Sequence, residues 1–301
     1  MSDSTHASFA DDHGGHSPRS IDRVFGGYHV MEGAGVRLRR IIGSRELNHI
    51  DPFLLLDEFK SDNPEDYIAG FPWHPHRGIE TVTYMVTGQM RHEDSIGNAG
   101  VIGPGDVQWM TAGHGIIHSE MPEQKDGKLW GFQLWVNLPS RQKMCDPRYQ
   151  EVSADKIPIV ELPGGATVRV VAGKYQGING PITEIEVDPL YLDIQLPANT
   201  AIRLPIFLHH NAFCYVYEGS GDFGAGDDMP GRTIAGPNIL LLGDGDHLRI
   251  HTSDAPVRFL LVAGKPLNES VARGGPFVMN TREEIEQAFR DFHNGTLLKK
   301  R

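Results

Sequence analysis

Residues 71–84 read F-P-W-H-P-H-R-G-I-E-T-V-T-Y, and residues 115–122 read G-I-I-H-S-E-M-P. Each stretch carries two metal-ligating side chains one residue apart: His74 and His76 in the first, His118 and Glu120 in the second. On a β-strand, residues i and i+2 point to the same face. Two such strands side by side aim three imidazoles and one carboxylate at a common point. That donor set suits a first-row transition metal and leaves positions open for water or substrate. One pair alone reads as an ordinary solvated strand. Two pairs, joined through the turn G-P-G-D and the bend T-A-G-H-G, read as a metal site.

Pro75, between the first two histidines, cannot donate a ladder hydrogen bond, so its strand is expected at an edge, a bulge or a strand start. Glu80 shares the parity of His74 and His76, as does Gly78, which makes Glu80 a rival for the fourth ligand. Val82, Tyr84 and Val86 continue that face as an apolar barrel interior. His114, in the glycine-rich bend, is expected to support the site or face solvent rather than bind a metal. His92, in R-H-E-D-S, is expected at a loop or pocket rim.

The rest of the chain reads as strands. It has 301 residues, enough for two domains of ordinary size. Its 35 glycines and 20 prolines favour many turns and short strands over long helices. T-V-T-Y-M-V-T-G, G-D-V-Q-W-M and L-W-G-F-Q-L-W-V-N-L are rich in β-branched and aromatic residues. In the last, Trp130, Phe132, Leu134, Val136 and Leu138 take one face, and Gln133 and Asn137 the other. Thr83–Gly88 resembles Cys214–Gly219, which suggests a duplicated barrel. Near the end, Thr281 and Glu284 form a capping box. Ile285, Ala288, Phe289 and Phe292 then follow helical spacing, so a helix is expected near 281–293.

Residues 1–20, with His6, His13 and His16, are polar and Gly/Ser-rich and are expected to form a disordered tail. The division that follows is a first barrel with the metal site over 21–140, and a second barrel without metal over 141–301. The second half has no H-x-H pair. His209 and His210 are adjacent, so a strand would point them to opposite faces.

The net charge of −11, without a Lys/Arg stripe, argues against direct nucleic-acid binding; the basic end L-L-K-K-R adds only three charges. No run approaches the roughly 20 apolar residues of a membrane helix. The two cysteines, Cys145 and Cys214, show no CxxC spacing and read as buried small hydrophobes. With no secretory signal visible, the cytoplasm is the expected compartment.

The stretch 71–84, the H-E-D-S at 92–95, P-G-D-V-Q-W-M-T-A-G-H-G-I-I-H-S-E-M-P, Q-L-W-V-N-L-P and G-G-P-F-V-M-N-T resemble the pirin family of the cupin superfamily. The resemblance is dense over 70–139 and continues beyond. It implies an all-β bicupin: two stacked antiparallel, jelly-roll-like barrels with a short C-terminal helix. It also implies one iron, Fe(2+), in the first barrel only, on His74, His76, His118 and Glu120. Donor chemistry by itself also accommodates copper, nickel, zinc or manganese. Glu80 falls on the carboxylate that cupins in general use, while the family uses the later glutamate. The implied activity is opening of a flavonol such as quercetin with O₂, with Glu120 as ligand, general base or both and Glu80 as reserve base. The alternative is a non-enzymatic, iron-dependent regulator acting through a protein partner.

Overall fold

The computed structural model describes residues 17–123, 126–224 and 231–298. His6, His13, His16 and residues 299–301 lie outside that range. Residues 1–16 of the expected tail lie outside that range, and residues 17–20 are tied to the second barrel. Pro18 bridges to His247, and Arg19, 1% exposed, donates from its guanidinium to the carbonyls of Gly243 (2.9 Å) and Phe207 (2.8 Å).

Two large sheets share one plan. The first runs, edge to edge, Arg148–Val152, Val107–Thr111, Ile79–Thr87, Leu129–Asn137, Phe53–Ser61, Val36–Ile42, Tyr28–Glu32. The second runs Ile21–Phe25, Asn238–Leu242, Asn211–Phe223, Val257–Gly264, Leu190–Leu196, Thr167–Ala172, Ile159–Glu161. The look-alike segments noted in the sequence, 83–88 and 214–219, occupy the third strand of each. Against the first sheet stands a four-stranded one: Phe71–His76, Ile116–Pro122, Met90–Asp94, Ala99–Ile102. The matching group in the second half is Ala201–Pro205, His247–His251, the far end of Asn211–Phe223, and Arg232–Ala235. The protein is thus an all-β bicupin with one α-helix, Arg282–His293, among the described residues.

Strand pairing crosses the expected cut at 140 in both directions. Ile21–Phe25 joins the second sheet, and Arg148–Val152 joins the first. The two large sheets pack face to face. One apolar cluster takes Tyr84, Trp109, Phe132 and Phe53 from the first and Tyr191, Phe213, Tyr215 and Leu260 from the second. Two carboxylates, the buried Glu58 and the partly buried Asp193, are satisfied across this seam. Glu58 accepts from Trp130 Nε1 (2.9 Å) and Tyr215 Oη (2.7 Å), and Asp193 accepts from Tyr84 Oη (2.8 Å).

This packing corrects the expected facing of one strand. Val82 and Tyr84 do not line the barrel; they join the cluster between barrels. Thr83 and Gln133, on the opposite faces of their strands, point inward instead. The cause is a break at Arg77 and Gly78: Phe71–His76 and Ile79–Thr87 belong to different sheets, so parity does not carry across.

The helix begins at the expected capping box, with Thr281 accepting from Glu284 N (3.2 Å). It packs, with the hairpin Ala272–Gly274/Phe277–Met279, on the first barrel rather than the second. Arg77 donates to Asp291 (2.7 Å) and Phe277 bridges to Arg77. No helix among the described residues is long and apolar enough to cross a membrane.

Candidate metal centre

Phe71–His76 is an edge strand, as Pro72 and Pro75 require. His74 lies directly opposite His118 in the ladder, and His76 opposite Ile116. A bulge between His118 and Glu120 sets Glu120 against Phe71 and lets the strand bend into the barrel. The result gathers three imidazoles. One ligand atom from each of His74, His76 and His118 lies within 4.8 Å of the others. Ring centroids are 4.4 Å apart for His74 and His118, 4.9 Å for His74 and His76, and 5.1 Å for His76 and His118.

The outward nitrogens of His74 and His76 are tied to the backbone. His74 Nδ1 donates to the Pro72 carbonyl (2.8 Å) and His76 Nδ1 to the Pro276 carbonyl (3.2 Å). Such bonds fix the tautomer and turn an unprotonated Nε2 toward the centre. His76 Nε2 and both ring nitrogens of His118 are buried without a hydrogen-bond partner. Buried polar atoms are normally paired, so a site that leaves two lone pairs convergent and unsatisfied is shaped for a cation. Burial, then the neighbouring rings of His118 and His74, hold the His76 pKa well below the ordinary imidazole value. Burial, then His74 and His92, do the same to His118. Neutral rings are the form that binds metal. The donor set fits a single divalent metal ion.

Glu120 stands beside this group rather than within it. It is 2% exposed, lines the same cavity, and accepts from Thr83 Oγ1 (2.8 Å) and Gln133 Nε2 (3.0 Å). Gln133 Oε1 in turn accepts from Trp135 Nε1 (3.4 Å). Glu80 is not brought to the histidines. It shares the face of Val82 and Tyr84, away from the barrel interior, and accepts from Thr111 Oγ1 (2.7 Å). Burial raises its pKa.

His92 is not at a loop or rim. It is 3% exposed on Met90–Asp94, opposite Glu120 in the ladder, and its Nε2 pairs with Glu151 (2.6 Å). His114 lies outside the ligand group; its carbonyl accepts from Arg77 Nε (2.5 Å).

Sequence reasoning missed the contribution of the chain's far end. Pro276 orients His76 across 200 residues. Gly78 must be glycine here: its φ is +78°, and a Cβ would meet the Val278 carbonyl at 2.0 Å. Lys143, 1% exposed, locks the arrangement by donating to Gly78 O (2.9 Å), Asn137 Oδ1 (2.8 Å) and Val278 O (3.0 Å). Burial pushes its pKa down to about 8, which leaves it an ammonium at neutral pH with all three donors used. The G-G-P-F run before the helix was the one signal for this; nothing in it points to a histidine.

His74 and His76 open onto a cavity of about 590 Å³, within the size range of small-molecule sites. Leu55, Phe71, Trp73 and Trp135 give it aromatic and aliphatic walls. His76 meets Trp135 edge-on, with centroids 5.1 Å apart.

Comparison with known proteins gives the same outline. The family model described as pirin matches residues 35–136, and that of the pirin C-terminal cupin domain matches residues 191–298. A pirin-like protein of Caulobacter vibrioides is 50% identical over 279 residues, covering 92% of this chain and 98% of its own. The crystal structure of quercetin 2,3-dioxygenase from Acinetobacter baumannii superposes with a TM-score of 0.85 at 33% identity, covering 93% of this chain and 99% of its own. A bacterial pirin of Escherichia coli in complex with nickel(II), 19% identical, shares the fold with a TM-score of 0.63 over 81% of this chain and 98% of its own.

Proposed function

The chain belongs to the pirin family, and we propose that it is a metal-dependent dioxygenase that opens flavonols of the quercetin type with O₂. The observation that carries this is the convergence of His74, His76 and His118, with buried, unpartnered imidazole nitrogens on His76 and His118, beside an aromatic-lined cavity whose walls include His74, His76 and Glu120. The name of the Acinetobacter relative supports the same chemistry.

In this reading His74, His76 and His118 would hold iron(II), with Glu120 as fourth ligand, general base, or each in turn. Bound there, the ion would supply Lewis acidity toward the flavonol's 3-hydroxyl and adjacent carbonyl, and redox chemistry toward O₂. Glu120 takes the 3-hydroxyl proton. Thr83 and Gln133 hold its carboxylate in place, so that it meets the substrate in one orientation. Trp135, Phe71 and Leu55 exclude water from the aromatic rings. Ring cleavage then releases carbon monoxide. Glu80 has no part in this account, because it faces away from the cavity.

Protein loaded anaerobically with iron(II) and then given quercetin and air should bleach the flavonol absorbance and release CO, one per flavonol consumed. His76→Ala should do neither. Full iron occupancy with no bleaching and no CO would refute the reading.

A further inference from the structure

The cavity has two chemically different ends. At one stand His74, His76 and Glu120. At the other is Arg273, which comes from the C-terminal hairpin Ala272–Gly274/Phe277–Met279 and not from the barrel that holds the histidines. Its guanidinium carbon lies 4.7 Å over the Trp135 ring, and that ring meets His76 edge-on. One indole therefore separates the guanidinium from the imidazole group, a span that a multi-ring aromatic ligand covers.

Arg40 lines the same wall, but each of its three guanidinium nitrogens already binds a carboxylate. It binds Asp57 through Nε (3.0 Å) and Nη2 (2.8 Å), and Glu32 through Nη1 (2.8 Å). Arg273 is different. Among the described residues its guanidinium has one hydrogen bond, a long one from Nη1 to the Leu54 carbonyl (3.5 Å), and no carboxylate within ion-pair distance. A guanidinium offers five donors in a fixed plane. Here most of them are held on an aromatic platform beside a cavity instead of being spent on the protein. The wall is formally balanced, with Arg40 and Arg273 against Asp57 and Glu32. It therefore suits a neutral oxygen acceptor, a phenol or carbonyl, better than a second full anion.

We propose that Arg273 is the specificity-determining residue of the cavity: it donates to an oxygen on the ring remote from the chelating pair. The substrate class is then a hydroxylated multi-ring aromatic, and not any aromatic chelator. This rests on the reading above, in which the histidine end takes the 3-hydroxyl and carbonyl.

The test uses quercetin and 3-hydroxyflavone, which share the chelating pair and differ in the remote hydroxyls. Anaerobic binding of each to the iron-loaded full chain is read by tryptophan fluorescence quenching, for wild type and Arg273→Met, with turnover measured separately in air. Wild type should bind quercetin about ten- to hundred-fold more tightly, the worth of a hydrogen bond from a charged donor. Arg273→Met should lose that preference while keeping its iron content and its affinity for 3-hydroxyflavone. Should that variant fail to fold, Arg273→Lys keeps the charge over Trp135 without the planar donors, and should likewise lose quercetin affinity selectively. Equal weakening of both ligands, or no preference in wild type, overturns the proposal. The two readings fail differently. Arg273-dependent preference without turnover sinks the dioxygenase alone. Turnover with a preference indifferent to Arg273 sinks this inference alone. Binding of neither ligand sinks both.

Discussion

The two barrels are built on one strand order and filled with opposite materials. In the first, His118 on the middle strand lies between His74 and Asp94. In the second, Ile250 on the matching strand lies between Ile202 and Phe223. Leu204, Leu248, Ile250 and Phe223 are at most 1% exposed and merge into one apolar cluster that fills the second barrel. The first barrel has no such continuous filling. Its apolar residues fall into two separate groups, one around Phe59, Met85 and Met90 and one around Leu55, Met110 and Trp135. Thr83, Gln133, Glu120 and the histidines occupy the space between them. A fold can thus be kept while a layer of its core is exchanged for a site, provided the exchanged polar groups find partners.

The largest effect that tests this contrast is on metal affinity. His76→Ala should weaken iron(II) binding by more than the ~10–100-fold typical of losing an outer partner of a ligand, as read by competition with a chelator. Ile250→Ala on the matching strand should leave metal affinity and stoichiometry unchanged. Equal effects would erase the difference between the barrels.

Ile250→Ala should instead show in stability. Emptying a fully buried site costs about 2–5 kcal/mol, readable by urea denaturation. A loss near zero would mean that the second barrel is not packed as described.

Lys143→Met addresses how the C-terminal hairpin completes the first barrel. It strands three buried acceptors, Gly78 O, Asn137 Oδ1 and Val278 O. A loss of about 1–3 kcal/mol is expected, together with weakened iron binding, because Pro276, which orients His76, lies on the same segment. Lost stability with unchanged iron affinity would separate the hairpin from the site.

The smallest effect is a pH slope. In metal-free protein the folded-state pKa values of His76 and His118 lie below the unfolded value near 6.5. The unfolded chain therefore binds more protons below that pH, and stability falls as pH drops through it, at up to about 1.4 kcal/mol per pH unit for each group. Above it these two groups contribute no slope. His76→Ala should flatten the acid limb by one such increment; an unchanged limb would mean that the ring is not desolvated. The apolar residues at the matching positions of the second barrel have no counterpart to this behaviour.

Much of this contrast could be read from the chain. The H-x-H and H-x-E pairs located the two strands that bring His74, His76 and His118 together, and the second half carries no such pairs. Period-two patterning found the strands and spacing found the helix, since both are local. What could not be read was non-local. The strand break at Arg77 and Gly78 turned Glu80, Val82 and Tyr84 away from the histidines, and only the packing of the second barrel reveals that. The strand resembling the one after the first histidine pair was Asn211–Phe223, yet the true counterpart of the ligand strand is Ala201–Pro205, whose sequence A-I-R-L-P keeps no trace of ligands. Pro276, Lys143 and Arg273 act across long separations through backbone carbonyls and a ring face, and no side-chain motif encodes such contacts.

Anomalous X-ray scattering at the iron edge, from crystals of the full chain loaded with iron(II), tests the central claim most directly. One peak bounded by the His74, His76 and His118 rings, with none inside the second barrel, is the expected result. A peak elsewhere, or none at full loading, would contradict it.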